Sequence, residues 1–309
     1  MNSPSSLSHR PLVLHYVCLA ASMALVGSYV SLAQQLVAVM GVTVLAWCRF
    51  TIGAMVMPHW LRKPADEPPL TPALHGWLFL ESLLGNVLFS LCMLAGVQRT
   101  SAVSAGVILS FTPMAVALLS RWWLGEQVAG RTWVGIALAV SGMALLGAEG
   151  RAAPSHEAAA AWPDSALGNG LILAAVVCEA SYAVIGKRLT RTLSPRRITA
   201  LINLWGWVLM TPLAWTALQV FNPAALHLGQ WSALLFYALA ASVGTVWLWM
   251  TGLQRVPASQ AGVFTAMLPL AACTVAWLLG EVPSRLQWLA LGLTLAGIVV
   301  SSWTRPKGA

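Results

Sequence analysis

The chain has 309 residues, of which 58% are hydrophobic and only 8% are charged, and its mean hydropathy is +0.75. A soluble domain carries about 25% charged residues, so 17 basic and 9 acidic side chains cannot cover a globule of this length. The composition therefore excludes a soluble enzyme, a disordered protein and a secreted disulfide scaffold, and it predicts an all-α polytopic membrane protein.

The net charge of +8 does not indicate nucleic-acid binding, because the basic residues form short clusters between apolar runs instead of a continuous face. The five cysteines all fall inside apolar runs without CxxC spacing, so we interpret them as packing residues. The sequence contains neither a GxxxxGK[ST] motif nor a cluster with metal-ligand spacing. We therefore expect no cofactor, no metal and no ATP-driven step.

Ten apolar runs of about 20 residues follow one another, and each is long enough to cross a bilayer as a helix. The runs cover 12–32, 36–57, 74–97, 102–121, 131–148, 168–187, 197–220, 231–253, 258–279 and 285–303. The stretch 149–167 combines an alanine run, two prolines and mixed charges, which is typical of a linker. It divides the chain into two halves of five predicted helices, 1–148 and 168–309.

Basic residues predict the orientation, because they concentrate in cytoplasmic loops. With the N-terminus in the cytoplasm and alternating sides, 13 basic residues lie inside: Arg10, Arg62, Lys63, Arg121, Arg131, Lys187, Arg188, Arg191, Arg196, Arg197, Arg255, Arg305 and Lys307. Only Arg99, Arg151 and Arg285 lie outside, and Arg49 lies within a helix. This distribution predicts that both termini are cytoplasmic and that the 149–167 linker lies outside.

Residues 96–113 and 252–269 match in a constant register, which indicates an internal repeat. The identical pairs are Gly96/Gly252, Gln98/Gln254, Arg99/Arg255, Gly106/Gly262 and Pro113/Pro269. A weaker similarity pairs Ser28-Tyr29 with Ser181-Tyr182. Because each half has five predicted helices, the second copy is inverted relative to the first. Inverted repeats are the construction of many secondary transporters, whose substrate sites lie near the midplane between the halves.

The ends of the two repeats resemble the drug/metabolite transporter superfamily, specifically its ten-helix EamA type. Each end has a mid-helix proline, a Leu-Gly-Glu tripeptide and a glycine in the last helix: Pro113, Leu124-Gly125-Glu126 and Gly142, then Pro269, Leu279-Gly280-Glu281 and Gly297. Arg49-Phe50 also resembles the family pattern. The resemblance implies two EamA repeats around a central cavity, in the inner membrane of a bacterium. It also implies transport of small organic molecules, commonly the export of amino acids or related metabolites.

Ionisable groups inside membrane helices cost about 2.5–3.5 kcal/mol each, so they usually face a cavity or a partner. Glu179 lies near the midplane of the sixth run with Tyr182 one turn later, and we predict that both line the substrate cavity. Glu81 lies a turn and a half into the third run, where it lines the cavity, reaches the interface or pairs with a loop cation. Arg49 lies about eight residues before the end of the second run, where it reaches the interface or pairs with Glu81. We favour a structural ion pair over a clamp for a substrate carboxylate.

His15, Ser22 and Tyr29 are spaced by seven along the first run, so they share one side of a helix that we predict to face the cavity. Trp247 and Trp249 are two residues apart and cannot share a face, and we place Trp247 on the cavity wall. Tryptophans near the run ends fit the aromatic belt of a membrane interface: Trp60, Trp77, Trp122, Trp123, Trp162, Trp231 and Trp303.

Pro113 and Pro269 interrupt the fourth and ninth runs, and each removes a backbone hydrogen-bond donor. With Gly106 and Gly262 close by, the prolines form either hinges for gating or static kinks. We expect the glutamate of each Leu-Gly-Glu tripeptide to stabilise the start of a helix.

These features predict a secondary transporter that exports small metabolites such as amino acids by alternating access, driven by the substrate gradient or by protons. The alternative is a multidrug carrier for lipophilic cations. A carboxylate at Glu179 among aromatic residues favours the cation carrier, whereas an arginine that lines the cavity favours an amphoteric substrate. An intramembrane protease is disfavoured because Asp66 and Asp164, the only aspartates, lie in loops.

Overall fold

The computed structural model describes residues 12–65, 67–97, 99–100, 102–149, 165–278 and 284–303. Within these residues the chain is helical and has no β-strand. The α-helices are α1 Leu12–Met40, α2 Val42–Val56, α3 Pro72–Ser82, α4 Phe89–Val97, α5 Ala102–Ser110, α6 Thr112–Trp123, α7 Gly130–Glu149, α8 Ser165–Leu189, α9 Pro195–Val220, α10 Leu228–Ala238, α11 Thr245–Arg255, α12 Ala258–Ala261, α13 Met267–Leu278 and α14 Arg285–Ser302. Most of the predicted linker, residues 150–164, lies outside the described residues.

Helices occupy all ten predicted runs, but the first boundary is misplaced in the prediction. The sequence predicts a break at 33–35, whereas α1 continues to Met40. Gln34 and Gln35 are good helix formers and do not interrupt it. The helix ends at Gly41, whose φ of +74° is accessible to a residue without a side chain.

Six stretches within the described residues are long and apolar enough to cross a membrane: Leu12–Tyr29, Pro72–Gly96, Ala166–Leu189, Pro195–Val220, Leu228–Arg255 and Arg285–Ser302. Val42–Val56 and Gly130–Leu145 are shorter apolar helices. The fourth and ninth predicted runs are each divided into shorter helices, so ten membrane crossings remain a prediction.

Two π-helical stretches of six residues occur at matching places in the two halves. Leu83–Leu88 joins α3 to α4, and Leu239–Gly244 joins α10 to α11. They lie 156 residues apart, the same separation as Gly96 and Gly252. A π-helical turn holds an extra residue and is frequent at functional sites. The internal repeat therefore reproduces even this local irregularity of the backbone.

The two halves pack through reciprocal pairs of helices. In the repeat, α1 corresponds to α8, α11 to α4 and α13 to α6. α1 packs on α11 and α13, and α8 packs on α4 and α6. Two helices of the first half pack directly against their own counterparts in the second half: α2 against α9, and α7 against α14. Reciprocal contacts of this kind are those expected between two repeats that are related by a two-fold axis.

Small residues allow α7 and α14 to cross at close range. A Cβ atom added to Gly135 would lie 2.7 Å from the carbonyl oxygen of Gly297, and one added to Gly142 would lie 2.6 Å from that of Ala290. Backbone contact of this kind stabilises helix pairs in membranes, where apolar side chains gain nothing over lipid. Gly142 and Gly297, the glycines of the family pattern, thus have a packing role.

The helix ends lie on two opposite faces of the molecule. α4 and α8 run antiparallel, because Gly96 lies against Gly168 whereas Glu81 lies against Gly186. We call the face where α7 ends and α8 begins the linker end. We call the opposite face, where α1 begins and α14 ends, the terminal end.

Candidate functional site

Five of the predicted site residues lie together in the interior, and we call them the central cluster: Tyr29, Arg49, Glu81, Glu179 and Tyr182. They come from α1, α2, α3 and α8, and Tyr182 lies within range of electrostatic interaction with the other four. Because these helices are distant in sequence, the cluster exists only in the folded chain. It combines one cation, two carboxyl groups and two phenols.

The two tyrosines of the cluster occupy equivalent places against the two π-helical stretches. A Cβ atom added to Gly85 would overlap the Tyr182 ring, so the ring lies directly on the backbone of the first stretch. Tyr29 packs on Ala240 and Ala241 in the second stretch. Each π-helical stretch therefore positions a tyrosine from the opposite half.

Arg49 is held by an amide and an aromatic ring. Its Nη2 donates to Oδ1 of Asn86 at 3.2 Å, and its guanidinium carbon lies 4.3 Å from the centre of the Phe50 ring. The predicted ion pair with Glu81 is wrong, since the single ion pair among the described residues lies in a loop contact. Asn86 follows Glu81 by five residues and so lies about 7 Å nearer the linker end. The guanidinium group of Arg49 reaches Asn86 at this depth and forms no ion pair with Glu81.

Glu81 is fully buried, and neither of its carboxyl oxygens has a hydrogen-bond partner among the described residues. It lies against Gly186, where an added Cβ atom would come within 2.9 Å of Oε1. The predicted alternatives of reaching the interface or pairing with a loop cation are therefore both wrong. An unpaired carboxylate in such a setting is costly, so the group is suited to hold a proton or a cationic ligand.

Glu179 lies near the middle of α8 and, unlike Glu81, keeps some accessible surface. The two carboxyl groups are close enough to repel each other when both are ionised. Such a pair favours uptake of one positive charge, either a proton or an ammonium group. Among the described residues no group of three His, Cys, Asp or Glu side chains could hold a metal ion.

A cavity of about 230 Å³ lies between α1, α2, α4, α9 and α10, in the half of the molecule nearest the linker end. Leu91, Leu94 and Leu213 form part of its apolar wall, and its polar members include Arg49 and Tyr237. The Tyr237 ring meets Tyr29 edge-to-face, with ring centres 5.4 Å apart. The cavity thus reaches the central cluster from one side.

Of the eight predicted cavity residues only Arg49 lines the described cavity, and three of them, Ser22, His15 and Trp247, lie outside the central cluster as well. Ser22 is fully buried between α1 and α11, where its Oγ donates to the Thr245 carbonyl at 2.9 Å. His15 is buried near the start of α1. Trp247 lies against Trp60, with ring centres 6.2 Å apart.

The fourth run is broken next to its proline. α5, which contains Gly106, ends at Ser110, and α6 begins at Thr112, so Pro113 lies in the first turn of α6. The Leu109 carbonyl, which proline deprives of its usual donor, accepts from Thr112 Oγ1 at 2.7 Å. The carbonyl oxygen that the break leaves without a backbone donor therefore has a hydrogen-bond partner three residues later.

The ninth run is divided as well. A 3₁₀ stretch, Gly262–Ala266, precedes α13, and Pro269 is the third residue of α13. A Cβ atom added to Gly262 would lie 2.8 Å from the Cβ of Val116, so α6 approaches this stretch closely. Both prolines thus follow a break at matching places in the two halves.

Two polar residues of the site were not selected from the sequence: Asn86 and Tyr237. Both line the cavity beside Arg49. Each is a polar residue in an otherwise apolar run, and Tyr237 follows Glu81 by 156 residues, the separation of the repeat. Extending the repeat register through the third run would have identified Tyr237.

Glu126 joins the two halves at the terminal end. Its Oε1 accepts from the Ala258 N–H at 2.9 Å, and its Oε2 accepts from the N–H and Oγ of Ser259 at 3.1 and 3.0 Å. The carboxylate therefore stabilises the start of α12, as the sequence predicts of this tripeptide. The second tripeptide, 279–281, lies outside the described residues.

Glu67 forms a second contact between the halves at the same end. Its carboxylate accepts from the Ser194 N–H at 2.7 Å and pairs with Arg197 at 2.8 Å, at the start of α9. Burial alone would raise the pKa of Glu67, but the hydrogen bonds from Ser194 and Arg197 and the Arg197 charge lower it overall. The terminal end is therefore closed by two carboxylates from the first half.

Comparison with known families gives a direct match for each half of the chain. The sequence model of the EamA-like transporter family matches residues 14–148 and again residues 166–303. The chain belongs to the EamA-like transporter family. Membership confirms the resemblance and its two repeats, and it makes the chain an integral membrane transporter of small molecules.

Proteins similar in sequence to this EamA-like transporter are also named as transporters or exporters. The chain is 33% identical over 288 residues to the uncharacterized transporter YetK of Bacillus subtilis (strain 168), covering 93% of this chain and 86% of that protein. It is 25% identical over 268 residues to a probable terminal-alkyne amino-acid exporter of Streptantibioticus cattleyicolor, covering 84% of each. One crystal structure of a protein superimposes with a TM-score of 0.72 over 93% of this chain and 96% of that chain, at 18% identity, which shows a shared fold.

Proposed function

We propose that this EamA-like transporter exports small amphoteric metabolites such as amino acids. The observation that carries the proposal is the position of Arg49 on the cavity wall, with Tyr29 and Tyr182 each within electrostatic range of both Arg49 and Glu179. A guanidinium binds a carboxylate through two parallel hydrogen bonds, and a carboxylate binds an ammonium group. Arg49 and Glu179 would therefore hold opposite ends of a zwitterion, and the hydroxyl groups of Tyr29 and Tyr182 would complete the site.

The size of the cavity supports a small substrate. Pockets for drug-sized ligands usually measure about 300–1,000 Å³. The cavity beside Arg49 measures about 230 Å³. This volume suits a metabolite with few heavy atoms better than a bulky lipophilic drug. The relative named as a probable amino-acid exporter supports the same substrate class.

We propose ten membrane crossings arranged as two inverted repeats, 1–148 and 168–309, with 149–167 outside and both termini in the cytoplasm of a bacterial cell. The reciprocal packing of α1, α8 and their partners supports the pseudo-symmetry. Five crossings in each half place the two-fold axis in the membrane plane. The concentration of basic residues at the terminal end supports its cytoplasmic side.

Alternating access follows from the difference between the two ends. The cavity lies toward the linker end, whereas Glu67 and Glu126 join the halves at the terminal end. The breaks beside Pro113 and Pro269, with Gly106 and Gly262 nearby, would serve as hinges for the reverse arrangement. Protons are the proposed coupling ion, since Glu81 or Glu179 would bind a proton after the substrate leaves. The remaining predicted cavity residues are His15, Ser22 and Trp247. They stay candidates for lining the cavity when it opens toward the terminal end.

The experiment is transport by the purified protein in liposomes, with and without a pH gradient. Each amino acid is compared with the amine that lacks its carboxylate and with the acid that lacks its amino group. We expect wild type to prefer the amino acid. Glu179→Gln should lose transport of amine-bearing substrates and the pH dependence, while Arg49→Gln should lose the preference for a carboxylate. Tyr182→Phe should cost only about 0.5–1.5 kcal/mol of substrate binding.

The cation-carrier alternative rests on the two carboxyl groups and three tyrosines that surround a single arginine. Lipophilic cations bind well to such a combination. Transport of these cations in preference to amino acids, at a rate insensitive to Arg49→Gln, would support the alternative over the amphoteric substrate. Wild-type rates and pH profile in Glu179→Gln would show that Glu179 only packs.

A further inference from the structure

A second cavity, which shares no lining residue with the first, lies at the terminal end between α3, α6 and α8, about one helical turn from Glu81 and Tyr182. It measures about 220 Å³. We call it the tryptophan groove, and its lining residues are Trp77, Trp122, Trp123, Leu124, Val184, Ile185 and Arg188. No step of the proposed transport cycle uses it.

The rim of the groove is aromatic and unusually exposed. Trp122 is 75% exposed and Trp123 is 49% exposed. The Trp123 ring meets Trp77 edge-to-face, with ring centres 6.4 Å apart. Tryptophans at helix ends lie at the level of lipid headgroups, where an apolar ring and an N–H donor both find partners. The groove therefore opens at the membrane interface.

Among the described residues, the cation in this groove has no counter-charge. The Arg188 guanidinium lies 4.5 Å from the centre of the Trp77 ring, which fixes its direction. Arg188 is exposed and forms no ion pair among the described residues. Two carboxylates of the terminal end, Glu67 and Glu126, are engaged with the starts of α9 and α12. The charge of Arg188 is thus available to an external anion.

An apolar track leads from the groove along α6 toward the membrane interior. Phe111, directly before α6, and Leu118 and Trp122 on α6 are all exposed, and the spacing of four places Leu118 and Trp122 on one side of the helix. From Phe111 to Trp122 the track is about 16 Å long. This combination of a cationic head site with an apolar track matches a ligand that has an anionic head and a hydrocarbon chain.

We propose that the tryptophan groove binds the anionic headgroup of a glycerophospholipid. Arg188 contacts the phosphate, Trp122 and Trp123 flank the headgroup, and an acyl chain lies along α6. Basic pockets between helices on the cytoplasmic side are the usual places for anionic lipids, which concentrate in that leaflet. The site stands independently of the transported substrate.

The test is native mass spectrometry of the full-length protein in detergent, titrated with phosphatidylglycerol or with phosphatidylcholine of the same chains. We expect wild type to retain one phosphatidylglycerol in preference to phosphatidylcholine. Arg188→Gln should weaken phosphatidylglycerol binding roughly five- to tenfold, because one interfacial charge is lost. Trp122→Ala should weaken it about two- to threefold through loss of ring contact. Both changes lie at exposed side chains, so the variants should fold normally.

Arg255→Gln is the matched control, because it removes another exposed arginine of the terminal end outside the groove, and its binding should equal that of wild type. Equal retention of phosphatidylglycerol by wild type and Arg188→Gln would overturn the site. Equal retention of both lipids by wild type would overturn its anionic selectivity. Glycerol phosphate and inorganic phosphate serve as soluble probes: stabilisation by either, without lipid retention, would replace the lipid with a soluble phosphorylated ligand.

Discussion

The charged residues of the central cluster occupy positions where the other half of the repeat has uncharged ones. By helix register, Arg49 corresponds to Ile202 and Glu179 to Val26, while the counterpart of Glu81 is a tyrosine. The same architecture is therefore built without charges at these depths. Because buried charges cost about 2.5–3.5 kcal/mol each on insertion, the fold does not explain their presence. This supports the proposed roles of these residues in binding the substrate and a proton.

Glu67 makes the stability of the protein depend on pH. Its pKa is lowered in the folded state, overall, by the contacts with Ser194 and Arg197. A group of this kind stabilises the fold above its unfolded pKa, about 4.3 for glutamate, and the contribution is lost as pH falls through the lower folded pKa. We therefore expect Glu67→Gln to lower the free energy of unfolding by about 3 kcal/mol at pH 7. Its melting temperature should also fall less steeply than that of wild type as the pH is lowered.

The control for this prediction is a double-mutant cycle in purified protein. Arg197→Gln should destabilise the protein at pH 7 by a similar amount, and the double variant should lose less than the two single losses combined. A Glu67→Gln variant that melts in parallel with wild type from pH 7 to pH 3 would contradict the assigned role.

At the level of single residues, sequence reasoning selected the ionisable residues of the central cluster but did not predict the contacts that they make. The cost of burying ionisable groups identified Arg49, Glu81 and Glu179 without knowledge of the fold. It could not tell that Arg49 would bond to Asn86, since that depends on how α2 lies relative to the first π-helical stretch. Helical spacing placed Ser22 on the same side as Tyr29, but that side also packs against α11.

At the level of elements, hydrophobic length and repeat register predicted where helices lie, while their irregularities were hidden. No residue signal distinguishes Leu83–Leu88 or Leu239–Gly244 from ordinary helix. A π-helical stretch arises from packing that rewards an extra residue in a turn. Here that packing is the approach of Tyr182 and Tyr29, which comes from the opposite half of the chain.

Gly85→Ala tests whether the first π-helical stretch positions Tyr182. The added methyl group would overlap the Tyr182 ring, so either the ring or α8 must move. We expect a loss of about 1–3 kcal/mol in stability and weaker substrate binding, measured by thermal unfolding and by transport in liposomes. The second stretch carries Ala241 at the matching position, so the methyl group itself is compatible with a π-helical turn.

Gly76→Ala is the matched control on the same helix. Nothing lies within 4 Å of a Cβ atom added to Gly76. Alanine is a better helix former than glycine by about 1 kcal/mol, so this variant should melt at the same temperature as wild type or higher. Unchanged melting and transport in Gly85→Ala would mean that Tyr182 has room to adjust and that its placement on the stretch is not needed.

At the level of the whole molecule, the two ends of the structure are held together by different contacts. Glu67 and Arg197 form an ion pair at the terminal end, whereas the repeat places Pro223 and Val44 at the corresponding points of the linker end. The ionic contact therefore has no equivalent on the other side. A carrier whose two faces close with different strength prefers one arrangement when no ligand is bound. If the halves alternate as proposed, the ionic contact would favour the arrangement that is closed at the terminal end.

Opening of the terminal end requires Glu126 and Ser259 to separate, because they join α12 to the loop after α6. In a background without the native cysteines, Glu126→Cys and Ser259→Cys can be bridged by a short, cleavable bifunctional reagent that replaces the lost hydrogen bonds. We expect the bridge to reduce transport in liposomes at least tenfold, since the substrate is then confined to one side. Cleavage of the reagent should restore the rate, and neither single variant should respond to the reagent. A bridged protein that transports at the unbridged rate would show that the halves do not part at this end, and alternating access through the terminal end would have to be abandoned.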